Sequence, residues 1–169
     1  MSQTKVERLF IKDRTSLQAQ QWRLTSEVSS GSAQNAAFTS NISIMSGDGY
    51  GSVGSNLTFT SGVFSFPSTG IYLLIPQGYG QFNTSASTYA GVYINTTTDN
   101  STYSFAVGAY QSPDSSGQHF ATSAHFIFDV TDTSTHKFQL GYQSQGGATF
   151  TGSTGGFFCG VTVIRLGDT

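Results

Sequence analysis

From Leu57 to the end of the chain, short runs of alternating apolar and polar residues recur at intervals of about ten residues, each closed by Gly, Pro, Asn or Asp. Such a rhythm leaves no room for helices of ordinary length and is that of an all-β sandwich or barrel. Strands are expected near 56–60, 62–66, 70–79, 89–95, 102–110, 119–130, 136–144 and 156–166. With 14 Phe and 8 Tyr among 169 residues there is enough large apolar surface to close one such core. Strong helix formers are scarce in every window after Glu27. Length and the lack of a Pro-rich or charged linker predict a single body at 28–169, preceded by an arm and first strand at 1–27.

The grammar is clearest in Gly62-Val63-Phe64-Ser65-Phe66-Pro67-Ser68-Thr69-Gly70-Ile71-Tyr72. Phe64 and Phe66 stand two apart and share one face of a strand, Pro67 cannot donate to a ladder, and Gly70 is free to take a positive φ. The strongly apolar run 71–75 then restarts a strand, so the stretch reads as a hairpin. Pro76 inside that run predicts a strand that is at an edge or bulged. Upstream, 22–28 alternates with Trp22 and Leu24 on one face and Arg23, Thr25 and Glu27 on the other, and reads as the first strand. The small, polar stretch 29–41 suggests no strand, 42–45 a short one, 46–52 a turn, 96–100 a hairpin turn, and 148–151 a small ribbon.

Charge divides the chain unevenly. Residues 1–27 hold five basic and three acidic residues, whereas the remainder holds two basic and six acidic ones. A basic leader on an acidic body suggests an arm that docks on something, with Lys5, Arg8, Leu9, Phe10, Lys12 and Arg14 as its contacts. The acidic body has almost no cations to meet phosphates, so nucleic acid is not expected as a partner. No run approaches a membrane span and the start lacks the apolar core of a signal peptide, so neither membrane insertion nor general secretion is expected. Asn41, Asn56, Asn83, Asn95 and Asn100 stand in Asn-x-Ser/Thr triplets, which carry little meaning without that route.

Catalytic, metal and cofactor sites are not expected. Cys159, the single cysteine, lies in the most apolar strand and reads as an inert buried thiol. His119, His125 and His136 have no ligand spacing, and Asp129, Asp132 and His136 cluster around one turn where polar residues are ordinarily solvated. Tyrosines offer more. Tyr79, Tyr89, Tyr93, Tyr103 and Tyr110, with Phe82, lie on or beside strands and suit a sugar platform, the loop-proximal Tyr50, Tyr89 and Tyr110 being the candidate glycan contacts. The last strand is apolar nearly throughout, which fits core on one face and, on the other, a partner subunit or the chain's own leader.

The arrangement Gly-x-Phe-x-Phe-Pro-x-x-Gly-Ile-Tyr at 62–72 resembles the signature hairpin of the C1q/TNF-like domains. The run 123–130 followed by 136–142 resembles that family's paired strands, and Phe158-Cys159-Gly160-Val161 its closing motif, so that the resemblance covers 50–167. It implies a jelly roll of about ten antiparallel strands and a homotrimer around an apolar axis, with Phe158, Val161, Val163 and Ile164 at the interface. The chain shows no Gly-X-Y collagen stem, signal peptide or calcium cluster, departures that count against complement-like and cytokine-like roles. What remains resembles the stemless versions in bacteriophage, cyanophage-type, virion structural proteins. That likeness implies a non-enzymatic knob on the virion surface, made in the host cytoplasm and held by its arm to capsid or tail proteins. Capsid decoration or cement is the expected role, and a tail-tip or fibre adhesin that meets a host surface glycan the alternative.

Overall fold

A computed structural model describes residues 17–47 and 49–169, and shows two packed antiparallel sheets. The first, sheet A, contains β2 (Val28–Ser30), β13 (Ala148–Phe150), β7 (Gly70–Phe82), β14 (Gly160–Gly167), β1 (Gln18–Leu24) and β4 (Ile42–Ile44) in that order. β10 (His119–Ser123) and β11 (Phe126–Val130) also pair with β7. Because β7 is thirteen residues long, it carries β14 and β13 end to end along one edge and β11 and β10 along the other. Sheet B runs β5 (Thr58–Thr60), β6 (Val63–Ser65), β12 (Lys137–Gln145), β8 (Tyr89–Thr97) and β9 (Ser104–Gln111), with β3 (Ala33–Ala37) beside β6 on β12.

Rings from both sheets fill the space between them. Phe64 and Phe138 stack at 4.5 Å, Phe66 meets Tyr72 at 4.5 Å, and Phe120 packs on Phe82 and Phe150, both at 5.2 Å. Burying each such ring contributes about 2–3 kcal/mol. The period-two pleat then decides what is left outside: Tyr72 and Leu74 go in, Ile71, Leu73 and Ile75 go out.

Four expectations are corrected. The 62–72 stretch is a corner between sheets, because β6 pairs with β5 and β12 while β7 pairs only within sheet A. A polar knot holds that corner: the Tyr72 hydroxyl donates to the Ser68 carbonyl at 2.9 Å, Gln18 Nε2 donates to the Ser68 hydroxyl at 2.9 Å, and Arg165 Nε donates to the Thr69 carbonyl at 3.0 Å. At Gly70, with φ +143°, a Cβ would lie 2.5 Å from Arg165 Nε, so glycine is required there. The hairpin lies one turn earlier, where Thr60 pairs with Val63 around Ser61 and Gly62, both at positive φ as a two-residue primed turn needs.

Pro76 sits in the most central strand. A residue's N–H and C=O point to the same side of an antiparallel strand, and the Pro76 carbonyl accepts from Ala124, between β10 and β11. The missing donor therefore falls where the expected 119–130 strand breaks, and the ladder resumes in unchanged register.

The first strand begins at Gln18 rather than at Trp22. Gln18 and Gln20 occupy core-facing positions, and Gln20 Oε1 is satisfied by Trp22 Nε1 at 2.8 Å and by the Leu57 amide at 3.0 Å. Within 29–41, two strands form where none was expected, β2 reaching into that stretch from Val28, and β3 pairing with β12 across a register shift in which Asn35 adopts φ +54°.

Candidate functional site

The outer face of sheet A carries an aliphatic row, flanked by Gln21 and Thr162, whose side chains bond at 3.1 Å, and by the exposed Asp129. Ala19, Ile164, Leu73 and Ile127 lie in register across β1, β14, β7 and β11. Ile71 and Ile75 extend the row along β7, and Leu166 is extruded by the bulge between Arg165 and Gly167. Ile127 is 61% exposed, and Leu166, Leu17 and Val53 are about as open. Apolar side chains that share one outer face in this way suit a surface that another molecule covers. Toward the far end of β7 the face turns aromatic: Tyr79 stacks on His119 at 5.4 Å and meets Phe158 at 5.5 Å, beside a cavity of about 370 Å³ lined also by Gln77, Ala121 and Ser123.

The outer face of sheet B is built differently. Gly141, Tyr93 and Gly108 are in register across β12, β8 and β9, and in the next row Gln143, Gly91 and Tyr110 are. Because Gly141 has no side chain, the Tyr93 ring lies across its backbone; a Cβ there would stand 2.1 Å from Tyr93 Cζ. Tyr110 and Phe105 lie over Gly108 in the same way, at 2.9 and 3.1 Å from its absent Cβ.

A hydrogen-bond network fringes these rings. The Tyr110 hydroxyl donates to Gln143 Oε1 at 3.1 Å, and Gln143 Nε2 donates to the Tyr89 hydroxyl at 3.0 Å and to Gln34 Oε1. Gln34 Nε2 donates to the same Tyr89 hydroxyl at 2.8 Å, and the Tyr89 and Tyr110 rings meet edge-on at 5.8 Å. Tyr93 is fully buried and its hydroxyl has no hydrogen-bond partner. Leaving such a group unsatisfied costs about 1–3 kcal/mol. Burial, then the neighbouring Tyr110 phenol, pushes the Tyr93 pKa up, and burial raises that of Tyr110, so both are neutral at physiological pH.

No family model matches the sequence, and no curated protein matches it. Solved structures do. The chain is similar to the Eiger TNF of S. frugiperda at a TM-score of 0.66 and 11% identity, over 91% of this chain and 95% of that one. The fold is a C1q/TNF-like jelly roll. Murine APRIL at pH 5.0 is similar at a TM-score of 0.63 and 12% identity, over 89% of this chain and 99% of its own. The globular domain of the zebrafish complement 1qA protein is similar at 0.55 and 8%, over 90% and 99%. At these identities the likeness concerns the jelly roll alone.

Within the jelly roll the expected site residues separate. Val161 and Val163 point into the core with essentially no exposure, because β14 alternates, so they are not on the surface where a partner would sit. Ile164 and Phe158 stay on the outer face of sheet A, and Leu73, Ile75 and Ile127, which the sequence reading passed over, join them. Tyr89 and Tyr110 come together on sheet B, whereas Tyr50 lies in the turn before Val53, away from them. Lys5, Arg8, Leu9, Phe10, Lys12 and Arg14 fall outside the described residues. Arg23 is on the outer side of β1 as expected, yet only 6% exposed, with Nε and Nη1 unpartnered.

The remaining reactive groups have structural work. Burial pushes the Cys159 thiol up to about 11, and Sγ donates to the Tyr79 carbonyl at 3.0 Å. Asp132 Oδ1 accepts from the Ser134 hydroxyl and amide, both at 2.7 Å, which lowers its pKa and ties the turn before β12. His136 stacks on Phe128 at 5.7 Å and contacts Thr131 and Thr135. Among the described residues no three His, Cys, Asp or Glu side chains gather as a metal site would need.

Proposed function

We propose that the chain is a non-enzymatic, self-associating surface module, a homotrimeric knob that packs through the outer face of sheet A. The observation that carries this reading is the aliphatic row Ala19, Ile164, Leu73 and Ile127, extended by Ile71, Ile75 and Leu166. Four strands contribute one apolar side chain each to a row on one sheet face, which suits burial against another protein surface. The family resemblance supplies the number three. Sedimentation equilibrium at micromolar concentration tests it: a trimer is expected for the unaltered chain and a monomer for Ile127→Glu, whose exposed position lets the fold tolerate the charge. A monomeric unaltered chain would end this reading.

The setting we propose is the surface of a virus particle, with the basic leader docked on capsid or tail proteins. Support comes from the charge split between residues 1–27 and the body. Counting copies per purified particle by quantitative mass spectrometry separates capsid decoration, with many trimers, from a tail position, with few. A second reading, a receptor- or carbohydrate-binding tip, is favoured by one observation: the sequence-predicted Tyr89 and Tyr110 meet on the outer face of sheet B and share Gln143.

A further inference from the structure

We propose that the outer face of sheet B is a binding site for a neutral saccharide, with Phe105 and Tyr110 as stacking rings and Tyr89, Gln34 and Gln143 as hydrogen-bonding groups. The proposal deepens the carbohydrate-binding reading by placing its site and ligand class, and it is independent of the oligomer, which uses the opposite sheet.

Three features point to this chemistry. First, the floor is glycine backbone overlain by rings. Gly91, Gly108 and Gly141 stand at outward positions of three adjacent strands, so rings lie along the sheet and a flat ligand can approach them. Phe105 is 57% exposed, tilts against Tyr93 at 6.1 Å, and is the ring a ligand meets first. An exposed ring beside polar neighbours suits the apolar face of a pyranose.

Second, the network has unspent capacity. The Tyr89 oxygen accepts two amide N–H groups, which leaves its own proton to donate; the Tyr110 oxygen donates once and keeps its lone pairs. Adjacent donor and acceptor positions match the vicinal hydroxyls of a sugar, each of which also donates and accepts.

Third, the five residues are uncharged. Nothing among them would recognise the carboxylate of a sialic acid or a phosphate, both of which call for Arg or Lys. The ligand class is accordingly a neutral hexopyranose or its N-acetylated form.

The test uses the whole chain and the methyl glycosides of glucose, galactose, mannose and N-acetylglucosamine, read by saturation-transfer NMR, together with an array of neutral and sialylated oligosaccharides. At least one neutral glycoside should bind. Phe105→Ala should weaken it about tenfold and Tyr110→Phe by less, since the ring remains and only a hydroxyl is lost. Thermal midpoints of both variants should stay near that of the unaltered chain, and Tyr79→Ala on sheet A should bind normally. Binding that survives both Phe105→Ala and Tyr110→Ala overturns this site while the carbohydrate reading stands. Silence of the unaltered chain toward every neutral sugar overturns both. Binding confined to sialylated glycans, or a trimer that dissociates on Tyr110→Ala, overturns the site as described.

Discussion

The two outer faces of the sandwich obey one pleat rule and carry different side chains. On sheet A the outward positions of β7, β14 and β11 hold Leu73, Ile164 and Ile127, aliphatic residues that offer area and no direction. On sheet B the outward positions of β12, β8 and β9 hold Gly141, Tyr93 and Gly108, then Gln143, Gly91 and Tyr110, which give up area for ring faces and directed hydrogen bonds. Area without direction suits a surface that meets a large, complementary protein face; rings with donors and acceptors suit a small polar ligand. One core supports both, so the faces can change separately only where a substitution does not reach the rings between them.

The largest effect is expected where the faces cease to be separate. Phe138 is fully buried, stacks on Phe64 at 4.5 Å and lies on β12, whose outward residues line the sheet B face. Phe138→Ala should destabilise the chain by about 3–5 kcal/mol, with self-association and sugar binding lost together in urea titrations. A protein that loses one readout and keeps the other would show that the sheets unfold independently. A smaller, one-sided effect is expected at Gly141. The methyl of Gly141→Ala must displace the Tyr93 ring, at a cost of about 1–3 kcal/mol in thermal stability. Sugar binding should fall while the sedimenting mass stays the same, and a change of mass would mean that sheet B takes part in assembly.

The strand rhythm was legible because aromatic and β-branched residues alternate cleanly in β7, β8 and β12, and turn residues fall between them. What the rhythm does not encode is which strand pairs with which. Pro67-Ser68-Thr69-Gly70 reverses the chain equally well in a hairpin or at a corner between sheets, and only the polar knot of Gln18, Ser68, Tyr72 and Arg165, distant in sequence, decides for the corner. Gln18 and Gln20 hid the start of β1, since a glutamine reads as exposed until its buried partners are known. At the site, Tyr89 and Tyr110 were readable as strand-end tyrosines. Gln34, Gln143 and Phe105 join them only through register across four strands. Gly91, Gly108 and Gly141 were the available signal: glycine inside a strand marks a place where something lies against the backbone.

The finest distinction lies in the turns at the ends of the two faces, and pH should expose it. At the β8–β9 tip, Asp99 Oδ1 accepts from the Thr102 amide at 2.7 Å, the Thr97 hydroxyl at 2.7 Å and the Ser101 amide at 2.8 Å, bonds that hold its carboxyl well below the usual range. A folded pKa below the unfolded one means that the unfolded chain binds the proton first as pH falls. The stabilising contribution is therefore complete above the unfolded value of roughly 3.9 and is lost progressively below it. Amide exchange at Ser101 and Thr102 should be slow at neutral pH, fast in Asp99→Ala, and should approach the rate of that variant in the unaltered chain on acidification. Asp132 shares the direction of shift, set by Ser134, but its turn leads from β11 into β12, beside the aliphatic face. Acid should loosen both turns and leave the proposed trimer intact, because the aliphatic row of sheet A contains no titrating group. Dissociation of the trimer over the same pH range would mean that assembly depends on a carboxylate such as Asp129, which pairs with Ile71 at the margin of that row.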